Sequence, residues 1–271
     1  MPQAALMALM VGISSGAIGA FVILKRMALV GDALSHVALP GIAFALLLRT
    51  DPFWGVLAPL VLAAWLIWWL EAKTRVPTDA LVGLLFTASL AVGILTIPNT
   101  EIIESLFGAF PALAAGALAA TLVAALALTV LTFRLGRKFL FLAAAPDLAR
   151  VDGIGRRYDF ALLLIFALVV ALGIKLVGTL LMGALTIIPA SIAKNICRTM
   201  RGYMVASTLL GGVIATAGVI GAASLRLLPG PTIVLFGATL FLLSLLPPVS
   251  RAAARGLFRK AGRRQHTGDK T

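Results

Sequence analysis

Polar and charged positions punctuate this chain rather than alternate with its apolar ones. Nine apolar runs can be marked, at roughly 4–24, 28–48, 54–70, 78–98, 111–133, 159–174, 177–193, 203–225 and 231–248. Most approach the ~20 residues that a helix needs to cross a ~30 Å hydrocarbon core. The period-two alternation of a membrane barrel is missing. The expected fold is all-α, a polytopic helical membrane bundle of nine transmembrane helices. The short seventh run and the brief gap between the second and third leave a count of eight open.

Composition strengthens this reading. Hydrophobic residues make up 61% of the 271 and charged residues 12%, against about 45–50% and about 25% in a soluble domain. The net charge of +13 suggests a nucleic-acid partner until its placement is considered. With the N-terminus outside and the sides alternating, only Arg49, Lys175 and Arg226 of the 23 Lys and Arg fall on the outer side. Such a bias is the positive-inside pattern. Topology accounts for the charge, and no nucleic-acid partner is expected. Residues 1–250 read as one transmembrane domain. Residues 251–271 read as a basic cytoplasmic tail able to meet anionic lipid heads. No Lys or Arg precedes Lys25, so the first run lacks the basic start of a signal peptide and is read as a retained span. The single cysteine, Cys197, excludes an internal disulfide and any CxxC site.

Small residues recur at helical spacing: Gly12 and Gly16, Ser15 and Gly19, Ala217 and Gly221, Gly218 and Ala222. Such pairs allow close helix approach in lipid, within the bundle or between copies. Pro40, Pro189, Pro229 and Pro231 fall in or beside spans, where freed backbone groups need protein or a water-lined path.

The concentrated chemistry lies in residues 27–48, MALVGDALSHVALPGIAFALLL. Asp32 and His36 stand four apart, on one face of a helix. The chain's second histidine, His266, belongs to the charged tail. Carboxylate plus imidazole suits zinc, manganese or iron, and ionisable residues at membrane depth mark transport paths. Two plainer roles compete: Asp32 as a helix N-cap and His36 as a hydrogen-bonded interior residue. Spacing alone does not choose between them. Small neighbours (Gly31, Ala33 and Ser35) leave room for an ion, and no base in the span neutralises Asp32. One difficulty concerns depth: a helix starting near Met27 puts Asp32 only ~8 Å above its start, short of a midplane ~15 Å deep.

Two connections stand out. The loop 99–110 carries Glu101 and Glu104, acids that draw a cation towards an entrance or are simply solvated. The longest cytoplasmic connection, 134–158, contains a segment (144–155) with helix signals. Pro146 and Asp147 suit a first turn, Leu148 and Val151 share a face, and Gly153 and Gly155 end the helix. A partner's groove could receive that face, or the helix is an idle connector. There is no G-x-x-x-x-G-K-[ST] loop, no HExxH and no second histidine in the spans for a triad. The chain is not expected to be an enzyme.

The stretch MALVGDALSHVALPGIA resembles the signature of permease subunits of zinc/manganese/iron ABC importers, the metal ABC-3 family. PDLARVDGI in the connection, VGTLLMGALTIIPASIAK at 177–194 and GPTIVL at 230–235 extend the resemblance in the family's order, zinc-uptake permeases being nearest. It implies a bacterial inner-membrane permease working as a homodimer with two cytoplasmic ABC ATPase subunits and an extracytoplasmic metal-binding protein. It further implies that Asp32 and His36 line the translocation path as transient ligands of a divalent metal, zinc before manganese or iron, with no permanently bound cofactor. Pro146, Asp147, Leu148, Ala149, Val151, Asp152 and Gly153 would form the helix that couples the bundle to the ATPase. A proton-coupled secondary transporter and a structural scaffold are the competing readings.

Overall fold

The computed structural model describes residues 2–48, 52–74, 76, 78–96, 102–110, 114–152 and 154–246. Eleven helices follow in order: α1 (Pro2–Leu24), α2 (Ala28–Leu48), α3 (Pro52–Lys73), α4 (Thr78–Thr96), α5 (Ile102–Phe107), α6 (Ala115–Ala144), α7 (Pro146–Val151), α8 (Arg156–Val177), α9 (Met182–Ile196), α10 (Met200–Leu225) and α11 (Pro229–Leu245). No strand occurs among the described residues. Six helices (α1, α2, α3, α6, α8 and α10) are long and apolar enough to cross a membrane, and α4, α9 and α11 are shorter apolar helices. Each of the nine expected runs is thus a helix.

Two boundaries differ from expectation. The fifth run continues through Arg134, Arg137 and Lys138 to Ala144, because long basic side chains extend into solvent without breaking a helix. The 134–158 connection is correspondingly short. The seventh run begins as a helix only at Met182, after Gly178 at φ 85°; a left-handed residue ends the preceding helix instead of continuing it.

α1 is the axis of the bundle, packed against α6, α8, α9 and α10, and its small residues bring the backbones together. Gly12 faces the Gly211 carbonyl, Gly16 faces that of Ser207 and Gly19 that of Thr186. The Ser207 hydroxyl donates to the Gly16 carbonyl at 2.6 Å, and the Tyr203 hydroxyl to that of Ala20 at 3.0 Å. Gly218 packs on Ile233 of α11 in the same way, whereas Gly221 meets only a distant methyl of Thr232. Most of the small-residue pairs therefore build the bundle's own interior. We expect Gly16→Leu to prevent folding, since the obstacle is backbone and the usual ~1–3 kcal/mol of overpacking becomes a floor. Recovery of monodisperse protein after detergent extraction measures it, and wild-type yield would refute it.

The bundle has two unlike ends. One gathers the basic residues and is tied by side chains: Lys25 pairs with Asp159, Arg156 stacks 4.4 Å over Trp68, and the Trp68 indole donates to the Arg156 carbonyl at 2.8 Å. Lys138 reaches the Tyr158 hydroxyl at 2.6 Å. The other end is closed by backbone. Ala109 N–H donates to Lys175 O (3.1 Å), Thr179 N–H to Ser105 O (3.0 Å) and Leu180 N–H to Leu106 O (3.1 Å). Gly108 and Gly178 take positive φ there, and a side chain on Gly230 would strike the carbonyls of Val177 and Phe107.

Candidate functional site

The polypeptide reverses sharply between α1 and α2. Arg26 adopts φ 58°, and the Met27 N–H returns to the Val22 carbonyl at 2.9 Å, the six-to-one bond of a helix-ending turn. α2 begins two residues later, so Asp32 is its fifth residue and not its cap. The N-cap role is therefore excluded.

α2 lies among α3, α4, α8 and α9. Gly31 meets the ring of Phe166, which is midway along α8. His36 is one turn farther on and packs edge-on to Phe86, near the middle of α4, with ring centroids 4.7 Å apart. The pair is thus level with the middles of its neighbouring helices.

Its two members are held differently. His36 is 4% exposed, and its Nδ1 has no hydrogen-bond partner. A buried polar atom left unpaired costs ~1–3 kcal/mol, so this imidazole is not the satisfied interior histidine of the plainer reading. Asp32 is half-buried and its carboxylate abuts Gly183, the second residue of α9. The N-terminal end of a helix carries partial positive charge, which favours a carboxylate there. No described Lys or Arg forms an ion pair with Asp32. Pro40 lacks the N–H that would bond the His36 carbonyl four residues earlier. One face therefore offers a carboxylate, an imidazole and a freed carbonyl.

The small neighbours do not leave the room expected of them. Gly31 admits Phe166, Ala33 is buried, and the Ser35 hydroxyl turns back to the Gly31 carbonyl at 2.8 Å. Asp32 itself keeps part of its surface accessible. No cluster of three or more His, Cys, Asp or Glu occurs among the described residues; the side chains of Glu101 and Glu104 lie outside them. Sequence reasoning missed Gly183, Phe86 and Phe166. Only the interrupted seventh run hinted at Gly183, as a small residue where a helix restarts inside the bundle. We expect Gly183→Ala to displace the Asp32 carboxylate while leaving the fold intact; if Asp32 is the metal ligand that the resemblance implies, metal uptake falls by about 10–100-fold, the range for disturbing a ligand's support. Wild-type uptake at equal expression would show that the contact is dispensable.

At the basic end, α7 forms over Pro146–Val151. Ala145 leaves the helical region (φ −144°, ψ 71°), which is disfavoured for the residue before a proline. Ala149 is fully buried, whereas Leu148 is 64% and Val151 84% exposed. Pro146, Asp147 and Asp152 are exposed, and Gly153 lies outside the described residues. The Ile154 N–H closes the helix onto the Ala149 carbonyl at 2.8 Å. Two apolar side chains thus face solvent from a helix anchored by its alanine.

Known proteins resemble this chain along most of its length. Residues 1–247 match the ABC 3 transport family. The manganese import system permease protein ScaB of Streptococcus parasanguinis is 31% identical over 247 residues, covering 89% of this chain and 88% of that protein. The high-affinity zinc uptake system membrane protein ZnuB of Haemophilus influenzae is 31% identical over 240 residues, covering 84% and 90%. Among solved structures, PsaBC from Streptococcus pneumoniae, in complex with Fab, superposes with a TM-score of 0.81 at 30% identity over 92% of each chain.

Proposed function

Because this chain belongs to the ABC 3 transport family, a family of multi-pass bacterial membrane permeases, we propose that it is the membrane subunit of an ATP-driven importer whose cargo is zinc. The observation that carries the proposal is the unpartnered, buried His36 Nδ1 one turn from Asp32, midway through the bundle. Relatives of similar identity are named for manganese and for zinc. Donor chemistry favours zinc, since imidazole suits it better than the harder Mn²⁺, and divalent affinities rise from manganese towards copper and zinc. Manganese is the alternative cargo.

A path site has to be weak. A closed four-ligand zinc site is worth ~10–16 kcal/mol in small peptides and would not let go. Asp32 and His36 on one helix face, completed by water, hold the ion loosely enough for release. Discharge runs towards the basic end, the cytoplasmic side by the positive-inside rule.

The chain has no nucleotide loop, so ATPase subunits must supply the work. α7 is suited to transmit it: Leu148 and Val151 offer an apolar face to a groove, and the Arg156–Trp68 and Lys25–Asp159 contacts just beyond tie its displacement to α3 and α1. The functional unit is a homodimer with two ATPases and an extracytoplasmic metal-binding protein. Metal-resolved uptake in cells lacking the chain and then complemented with it tests the cargo. Accumulation of zinc over manganese is expected; the reverse order would overturn zinc.

A further inference from the structure

A second site lies far from the metal pair, on the outer wall of the bundle. α6 and α10 both flank α1, with Met204 of α10 reaching towards Gly136 of α6, and a cleft of about 670 Å³ lies between them. The volume falls in the range of about 300–1,000 Å³ typical of ligand sites. Phe133, Leu140, Met204 and Val205 line it, and Gly136 omits a side chain where Phe21 and Met204 come close. Arg137 of α6 and Arg201 of α10 stand on its two walls. Both are exposed, no acidic residue lines the cleft, and neither guanidinium has a carboxylate partner among the described residues.

The level of the arginines is informative. From Ala115 to Arg134, α6 rises ~30 Å, a full hydrocarbon core, so Arg137 stands just beyond it. Arg201 is the second residue of α10 at the same end. Two guanidiniums at headgroup depth above an apolar slot match one ligand chemistry, a phosphodiester with acyl chains. Basic pockets between transmembrane helices hold anionic lipid heads in this way.

We propose that the α6–α10 cleft is a binding site for an anionic phospholipid. Arg137 and Arg201 clasp its phosphate, and one acyl chain lies in the slot over Gly136. The site ties α6, which leads directly into α7, to the lipid of that leaflet. Arginine suits the role because its planar fork binds phosphate oxygens bidentately.

Native mass spectrometry of the full chain in detergent provides the test, with dioleoylphosphatidylglycerol titrated against dioleoylphosphatidylcholine. Phosphatidylglycerol adducts should predominate, and the Arg137→Gln/Arg201→Gln variant should weaken them by about tenfold or more without changing phosphatidylcholine adducts. Val205→Trp fills the slot but keeps both charges, and should also reduce phosphatidylglycerol binding. Equal binding of the two lipids by the unmodified protein would overturn the proposal, as would adducts insensitive to both variants. Displacement of the lipid by millimolar inorganic phosphate would assign the arginines to a small anion instead. Cross-linking of Val205→Cys between copies, or to the ATPase, in native membranes would assign the cleft to a protein partner.

Discussion

Asp32→Ala and His36→Ala should each abolish metal uptake, with losses above ~100-fold and normal folding. Disturbing only a ligand's support typically costs about 10–100-fold, and these changes remove the ligand itself. Neither should unfold the bundle. Asp32 has no ion pair to lose among the described residues, and removing an imidazole with an unpartnered Nδ1 deletes an unsatisfied atom from the interior. The His36–Phe86 ring contact is lost in His36→Ala, so stability should fall modestly while transport disappears, a split that a purely structural histidine would not produce. Radiometal uptake at matched expression, with thermal unfolding of the purified variants, measures both quantities. Wild-type uptake by either variant would remove the pair from the path. A pH dependence follows from the same chemistry. Imidazolium cannot ligate, so His36-dependent uptake should fall as pH drops from about 7.5 to about 5. A flat profile, with partner subunits shown to be insensitive, would exclude the imidazole as ligand.

Leu148→Asp/Val151→Asp should disconnect the permease from its ATPase. Both side chains are largely exposed on one face of α7, so the substitutions have no interior to disrupt and the bundle should fold normally. A charge placed where an apolar anchor enters a partner's groove removes a contact of hot-spot size, ~2 kcal/mol or more, or about thirtyfold in affinity. Co-purification of the ATPase should fail and ATP-dependent uptake should stop, while metal binding at Asp32 and His36 remains. Retention of the ATPase by the double variant would make α7 an idle connector. Ala149 provides the contrast: it is fully buried, so Ala149→Leu should damage the seating of α7 itself.

Much of this protein was determined by its sequence alone. The nine apolar runs each became a helix because in lipid a backbone segment has no other way to satisfy its polar groups. The basic end followed from the same runs, since charge placement depends only on their order. Asp32 and His36 share a face because four residues make about one turn, and the Pro146–Val151 helix arose from local start and stop signals. Tertiary structure decided what spacing could not. It took Asp32 away from the cap position, set the pair level with the middles of α4 and α8, and put Gly183 of a distant helix against the carboxylate. It filled the space beside Gly31 with Phe166 and left His36 Nδ1 without a partner. It also opened the cleft of Arg137 and Arg201, two residues 64 positions apart in the numbering. Local periodicity shows which face of a helix is apolar. What lies opposite that face depends on close backbone crossings such as Gly16 on Ser207, and those exist only once the helices have packed.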